Sequence, residues 1–109
     1  MVIWRVPSSD TEPVIRLVRW CVLETERGER HFVGYNVDAG EGRVSSAIRE
    51  LDTDKAQGTT RSGRIYRLEG PPGFDPDAEA TWNDWARING VARAVDVTEV
   101  LFGKRSPAP

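Results

Sequence analysis

Along residues 14 to 24, VIRLVRWCVLE, apolar positions follow one another too continuously for a strand with one dry and one wet face. Valine, isoleucine and tryptophan in such a run predict a strand buried on most of its length. TERGE follows, with Gly28 placed for a left-handed turn residue, and then HFVGYNV (31 to 37) alternates. A hairpin closing at Gly28 sets Glu24 opposite Arg30 and Leu23 opposite His31, an opposite-charge pair beside the turn. DAGEG turns the chain again, and RVSSAIREL (43 to 51) alternates weakly through Val44 and Ile48. DTDKAQG reads as a polar turn, followed by TTR, the pair Ser62-Gly63 and RIYRL. Short strands at this spacing predict a meander.

The stretch RLEGPPGFDPDAEATWNDW (67 to 85) changes the period. Asp75 suits a helix N-cap, Pro76 the first helical position, and Asp77 with Glu79 the positive end of the helix dipole. Ala78, Trp82, Trp85 and Ile88 or Asn89 share one face at helical spacing, with Glu79, Asn83, Asp84 and Arg87 on the other, and Gly90 ends the element. Both tryptophans are expected to cover the sheet. VARAVDV predicts a last strand, and DVTEVLF a short helix in which Asp96 and Glu99 have capping-box spacing. The expected architecture is α+β in one domain over 1–109. It is a small curved antiparallel sheet or SH3-like β-barrel with one amphipathic helix near the C-terminus. Residues 1–13 read as a short strand, VIWRV, followed by a polar loop; Trp4 there is the tryptophan expected at the surface, and 104–109 are a tail.

Composition narrows the chemistry. The chain has 109 residues, 29% of them charged, and carries a net charge of −2, too mild to announce a nucleic-acid or membrane partner. The first thirteen residues lack the pattern of a signal peptide, and no apolar run approaches a membrane span, so the expected location is cytoplasmic. One cysteine, Cys21, and one histidine, His31, make no ligand set, so neither metal nor cofactor is expected. A Cys21–His31 dyad is disfavoured because the hairpin register places the two diagonally. The phosphate-loop reading of EGPPGFDPD fails, since Pro71, Pro72 and Pro76 remove backbone donors and Asp75 occupies the helix start.

Charge is unevenly spread. Residues 43 to 67 carry net +3 and residues 69 to 99 net −5, which lets the two halves pair. If Ser62-Gly63 is a two-residue turn, Arg61 and Arg64 stand opposite each other, an arrangement that calls for an internal acid or an external anion. Arg61 and Arg64, extended by Arg43, Arg49 and Arg67, are therefore the candidate binding residues. The ordered segments ETERGERHFVGYN, GRVSSAI, TRSGRIYRLEGPPG, WARINGV and DVT resemble a family of small bacterial, mainly proteobacterial, single-domain proteins of unknown function. That resemblance implies no activity, cofactor or partner. The expected role is a non-catalytic binding or regulatory module contacting another macromolecule, a protein first. The alternative is a nucleic-acid-associated protein that uses the arginine-rich hairpin face. A membrane partner is not expected.

Overall fold

The computed structural model describes residues 14–103. The expectations for 1–13 and for the tail lie outside them. Seven strands and two helices follow in the order β1 (Val14–Thr25), β2 (Arg30–Asn36), β3 (Glu41–Val44), β4 (Ile48–Asp52), β5 (Gln57–Thr60), β6 (Ile65–Leu68), α1 (Pro76–Ile88), β7 (Ala94–Asp96) and α2 (Thr98–Phe102). They form one sheet in the order β3-β2-β1-β6-β5-β4, with β7 also on β1. The fold is α+β and the sheet is open. No helix among the described residues is long and apolar enough to cross a membrane.

The β1–β2 hairpin closes in the anticipated register, with Leu23 facing His31 and Glu24 facing Arg30, and Gly28 has φ 82°. Elsewhere β1 departs from a meander. Its first half pairs with β6 in parallel, Val14 to Ile65 through Leu17 to Leu68, and its last residues pair with β7. At twelve residues it is long enough to serve two partners along one edge. The residues between the two pairings form a bulge at Val18–Cys21, where Arg19 takes a positive φ of 45°. Such an insertion bends a strand and increases its twist. The bulge also presses Trp20 against β2. A Cβ on Gly34 would lie 3.0 Å from the Trp20 Cβ, so glycine lets the strands meet there.

RVSSAIREL is two strands instead of one. Phe32 N–H donates to the Ser45 hydroxyl, and that hydroxyl donates to the Ser46 carbonyl, which ends the β2–β3 ladder. The chain then leaves for β4 at the opposite edge of the sheet. The connection is anchored at its far end by Arg61 N–H donating to Ala47 O.

One side of the sheet carries the core of Ile15, Leu17, Trp20, Val22, Phe32, Tyr66, Leu68 and Val97. Gly58 lies within it, because an added Cβ would run into the Phe32 ring. Helix α2 packs on this side: Phe102 meets Trp20 at 5.0 Å between ring centroids, and the Thr98 hydroxyl accepts the Val22 N–H. The capping box is not formed as expected. Asp96 instead accepts the Thr98 N–H two residues on. Helix α1 packs on β2 and β3 on the other side. Its approach is set by Gly42, since any Cβ there would meet the backbone of Asp77.

The stretch 69 to 75 is the joint between sheet and helix. Glu69 N–H donates to Leu17 O and Gly73 N–H to Trp20 O, while the Trp20 indole donates to Gly70 O. Asp75, 6% exposed, then caps α1: its carboxylate accepts the Ala78 N–H at 3.0 Å and the Arg19 guanidinium at 2.8 Å. Burial pushes the Asp75 pKa up, but Arg19 and the Ala78 N–H outweigh it and the net shift is downward. The bulged Arg19 therefore ties the strand to the start of the helix.

The segment between α1 and β7 is held by a second clamp. Glu26, beyond β1, accepts N–H groups from Ala92 and Arg93, which draw its pKa from 4.5 down to about 2. Because the folded value is depressed, this contribution is complete above the ordinary glutamate range and is lost as pH falls through about 2. The Ala92 and Arg93 amide resonances are expected to titrate with a midpoint near 2, and Glu26→Gln to remove that titration. A midpoint at the ordinary glutamate value would show that the clamp is not formed.

A candidate docking groove

The five arginines singled out from the sequence do not share one face. Thr59 pairs with Ile65, so the β5–β6 loop has three residues, Arg61, Ser62 and Gly63, and Thr60 faces Arg64. The two-residue turn, with Arg61 opposite Arg64, is thus corrected by one residue. Gly63 at φ 90° accommodates the longer loop. Arg61 finds an internal acid, Glu29, at 2.7 Å, and that contact holds the Glu29 pKa below the ordinary value. Arg43 donates to the Tyr66 hydroxyl at 3.0 Å, with its guanidinium over that ring. Arg64 is half-buried. Arg49 and Arg67 are exposed on β4 and β6. Arg67 is a parallel-strand neighbour of Arg16, which is itself paired with Glu69 and Asp38.

A more organised surface lies where α1 stops short of covering β1. Alternation along β1 sends Trp20 and Val22 into the core and turns Cys21 and Leu23 to the helix side, where Cys21 pairs across to Val33. These three side chains floor a pocket of about 190 Å³. Ala78 and Trp82 form its helical wall, and Phe74 stands at its mouth, 64% exposed. Shallower clefts continue it in both directions. One runs past Pro72 and Phe74 to Asp96 and Glu99; the other runs past Trp82 and Ala86 to Val91 and Arg93. The result is one groove between α1 and the β7 side of the sheet, apolar over Cys21 and mixed in character toward its two ends. Its cause is topological: β7 covers the end of β1 edge-on, while α1 sits over β2 and β3.

Trp82 and Trp85 are half-buried rather than core residues, and Ile88 and Asn89, expected to continue their face, are exposed. The two tryptophans stack on each other at 5.2 Å between centroids, and Trp85 lies 4.6 Å from the His31 ring. His31 is 2% exposed and its Nδ1 donates to the Ser45 carbonyl at 2.9 Å. A carbonyl can only accept, so Nδ1 carries a proton, while the buried Nε2 has no hydrogen-bond partner among the described residues and lies 3.9 Å from a Glu29 carboxylate oxygen. The aromatic pair thus roofs a histidine enclosed by the sheet.

Burial, with the nearby charge of Asp96, pushes the Cys21 thiol up to about 12. At neutral pH it is a protonated, weakly nucleophilic side chain, and with Val33 opposite, His31 is not in line with it. Among the described residues no group of three or more His, Cys, Asp or Glu side chains could hold a metal ion. What the groove offers chemically is an apolar floor with charges at its ends. Sequence reasoning missed Phe74 as an exposed aromatic and Cys21 as a groove floor. The only available signal was an aromatic beside a Pro-Pro-Gly turn. No protein-family model matches the chain, no curated protein matches it, and no solved structure matches it.

Proposed function

We propose that the protein is a non-catalytic binding module whose partner is another protein, engaged through the groove over Cys21. The observation that carries this is the combination of a small pocket with an exposed aromatic rim. The enclosed part of the groove has about 190 Å³ and opens into the wider clefts on either side. It suits a single large side chain, the usual anchor of a protein contact. Phe74 at its mouth is of the residue class enriched in such contacts, and solvent exposure of so large an apolar side chain is relieved when a partner covers it. The shallow extensions on both sides supply room for residues flanking the anchor.

The test is capture from the native host with the full chain and with two surface variants, Phe74→Asp and Asn83→Arg. Both positions are exposed, so each variant is expected to melt within a few degrees of the parent. A protein retained by the parent is expected to lose on the order of tenfold in affinity for either variant. Retention of the same protein by all three chains would remove the groove from its binding, and the absence of any retained protein would count against a protein partner.

A further inference from the structure

The groove is electrostatically polarised. Beyond Phe74 its lining includes Asp96 and Glu99, and Glu79 stands on the helical wall beside the pocket. Asp75, at the same end, is neutralised by Arg19 at 2.8 Å. None of Glu79, Asp96 and Glu99 has a basic partner among the described residues, where the acids in ion pairs are Glu24, Glu29, Asp38, Glu69, Asp75 and Asp84. The opposite end is lined by Arg93 and by Arg87, the latter paired with Asp84. Uncompensated carboxylates beside an apolar floor set a requirement for whatever lies on it. An acidic neighbour is repelled at the Phe74 end, and a cationic one is attracted without needing to enter the dry pocket.

We infer that the groove takes a short segment of another protein in which a large apolar side chain is flanked, on the Phe74 side, by arginine or lysine. The anchor fills the pocket above Cys21, Leu23 and Val33. The cation sits at the rim against Asp96 and Glu99, where water still reaches it and no buried charge has to be compensated. Affinity comes from the anchor, and the rim charges set the choice among segments and their direction in the groove. This assignment rests on the protein-docking reading above and adds the chemistry of the partner to it.

The experiment uses isotope-labelled full-length protein and three short synthetic peptides without tryptophan. One has a central phenylalanine flanked by arginines, the second has glutamates in their place, and the third keeps the arginines around a central alanine. The reporters are the Trp82 indole and the backbone amides of Cys21, Leu23 and Phe74. The phenylalanine–arginine peptide is expected to shift these signals. The glutamate peptide should bind about fivefold more weakly or worse, in keeping with the small worth of individual rim pairs, and the alanine peptide should leave the signals in place. In Asp96→Asn/Glu99→Gln, which keeps an acceptor for the Thr98 N–H, the difference between the arginine and glutamate peptides should shrink to the share left by Glu79, and an undiminished difference would overturn the assignment to Asp96 and Glu99. Equal binding of those two peptides by the parent would overturn the charge assignment and leave protein docking standing. Failure of every peptide to shift the reporters would overturn this inference, while the capture experiment decides the docking reading separately. Two further results would overturn it by naming another occupant. Reporter shifts that grow with protein concentration alone would indicate a second copy of the chain. Reporter shifts caused by Trp4→Ala without added peptide would indicate the chain's own N-terminal residues.

Discussion

Trp20→Ala is expected to cost about 3–5 kcal/mol, the range for removing a large aromatic from a packed core. Trp20 is fully buried, meets Phe102 of α2, and donates its indole N–H to Gly70 O at 3.1 Å. Its loss removes core volume, the sheet-side contact of α2 and one tie to the joint that leads into α1. Small domains have about 5–15 kcal/mol in total, so the substitution removes between about a fifth and all of the stability. The variant's melting temperature should fall by more than about 12 °C, taking the lower bound of the effect for a domain of this size. Trp20→Phe retains most of the burial and should lie well above it. Thermal unfolding followed by circular dichroism decides the matter. A Trp20→Ala variant melting within a few degrees of the parent would show that the core is not organised around this residue.

Gly42→Ala comes next in expected effect, for a reason unrelated to conformational freedom. A methyl group there would lie 2.6 Å from both the Asp77 carbonyl carbon and the Thr81 hydroxyl oxygen, and it would also strike the Asp77 carbonyl oxygen. The threonine side chain can rotate away, but the helix backbone cannot. Helix α1 must lift from β3, with an overpacking cost of about 1–3 kcal/mol. Because α1 supplies Ala78 and Trp82 to the groove wall, partner binding should fall along with stability. Gly34→Ala is the matching control. Its added carbon would lie 3.0 Å from the Trp20 Cβ and 3.1 and 3.2 Å from backbone atoms of Trp20 and Val18, so the strain falls on β1 and β2 and not on α1. Fluorescence of the stacked Trp82–Trp85 pair should change in Gly42→Ala and much less in Gly34→Ala. Equal, small effects of the two substitutions would mean that α1 is not seated on Gly42 as closely as its geometry implies.

Features written in adjacent residues were legible before any three-dimensional information. Gly28, Gly90 and the Asp75-Pro76 pair carry their conformational meaning locally, because positive φ, a fixed proline φ and an N-cap acceptor each act within about one turn of chain. The β1–β2 register follows from one short loop and two patterned strands. The β5–β6 turn shows the limit of such reading. Ser62-Gly63 matches a two-residue turn, yet a glycine in the same left-handed region serves a three-residue loop equally well, and that one-residue difference moves Arg61 away from Arg64 and onto Glu29.

The tertiary structure alone decided where β1 spends its two halves. Its apolar run signalled burial without naming β6 on one stretch and β7 on the other, because hydrophobic patterning reports how much surface is hidden and not which strand hides it. Trp82 and Trp85 sit at core-facing helical spacing but are half-buried, since α1 lies over β2 and β3 and leaves β1 beside it uncovered. The groove is that uncovered strip. Its charged rim combines Glu79 of α1 with Asp96 and Glu99 from beyond it, while its floor comes from β1 and β2. The Arg19–Asp75 pair beside it joins residues 56 positions apart. Periodicity, caps and turns act over a few residues, and a surface assembled across such separations exists only once the sheet has bent and the helix has landed.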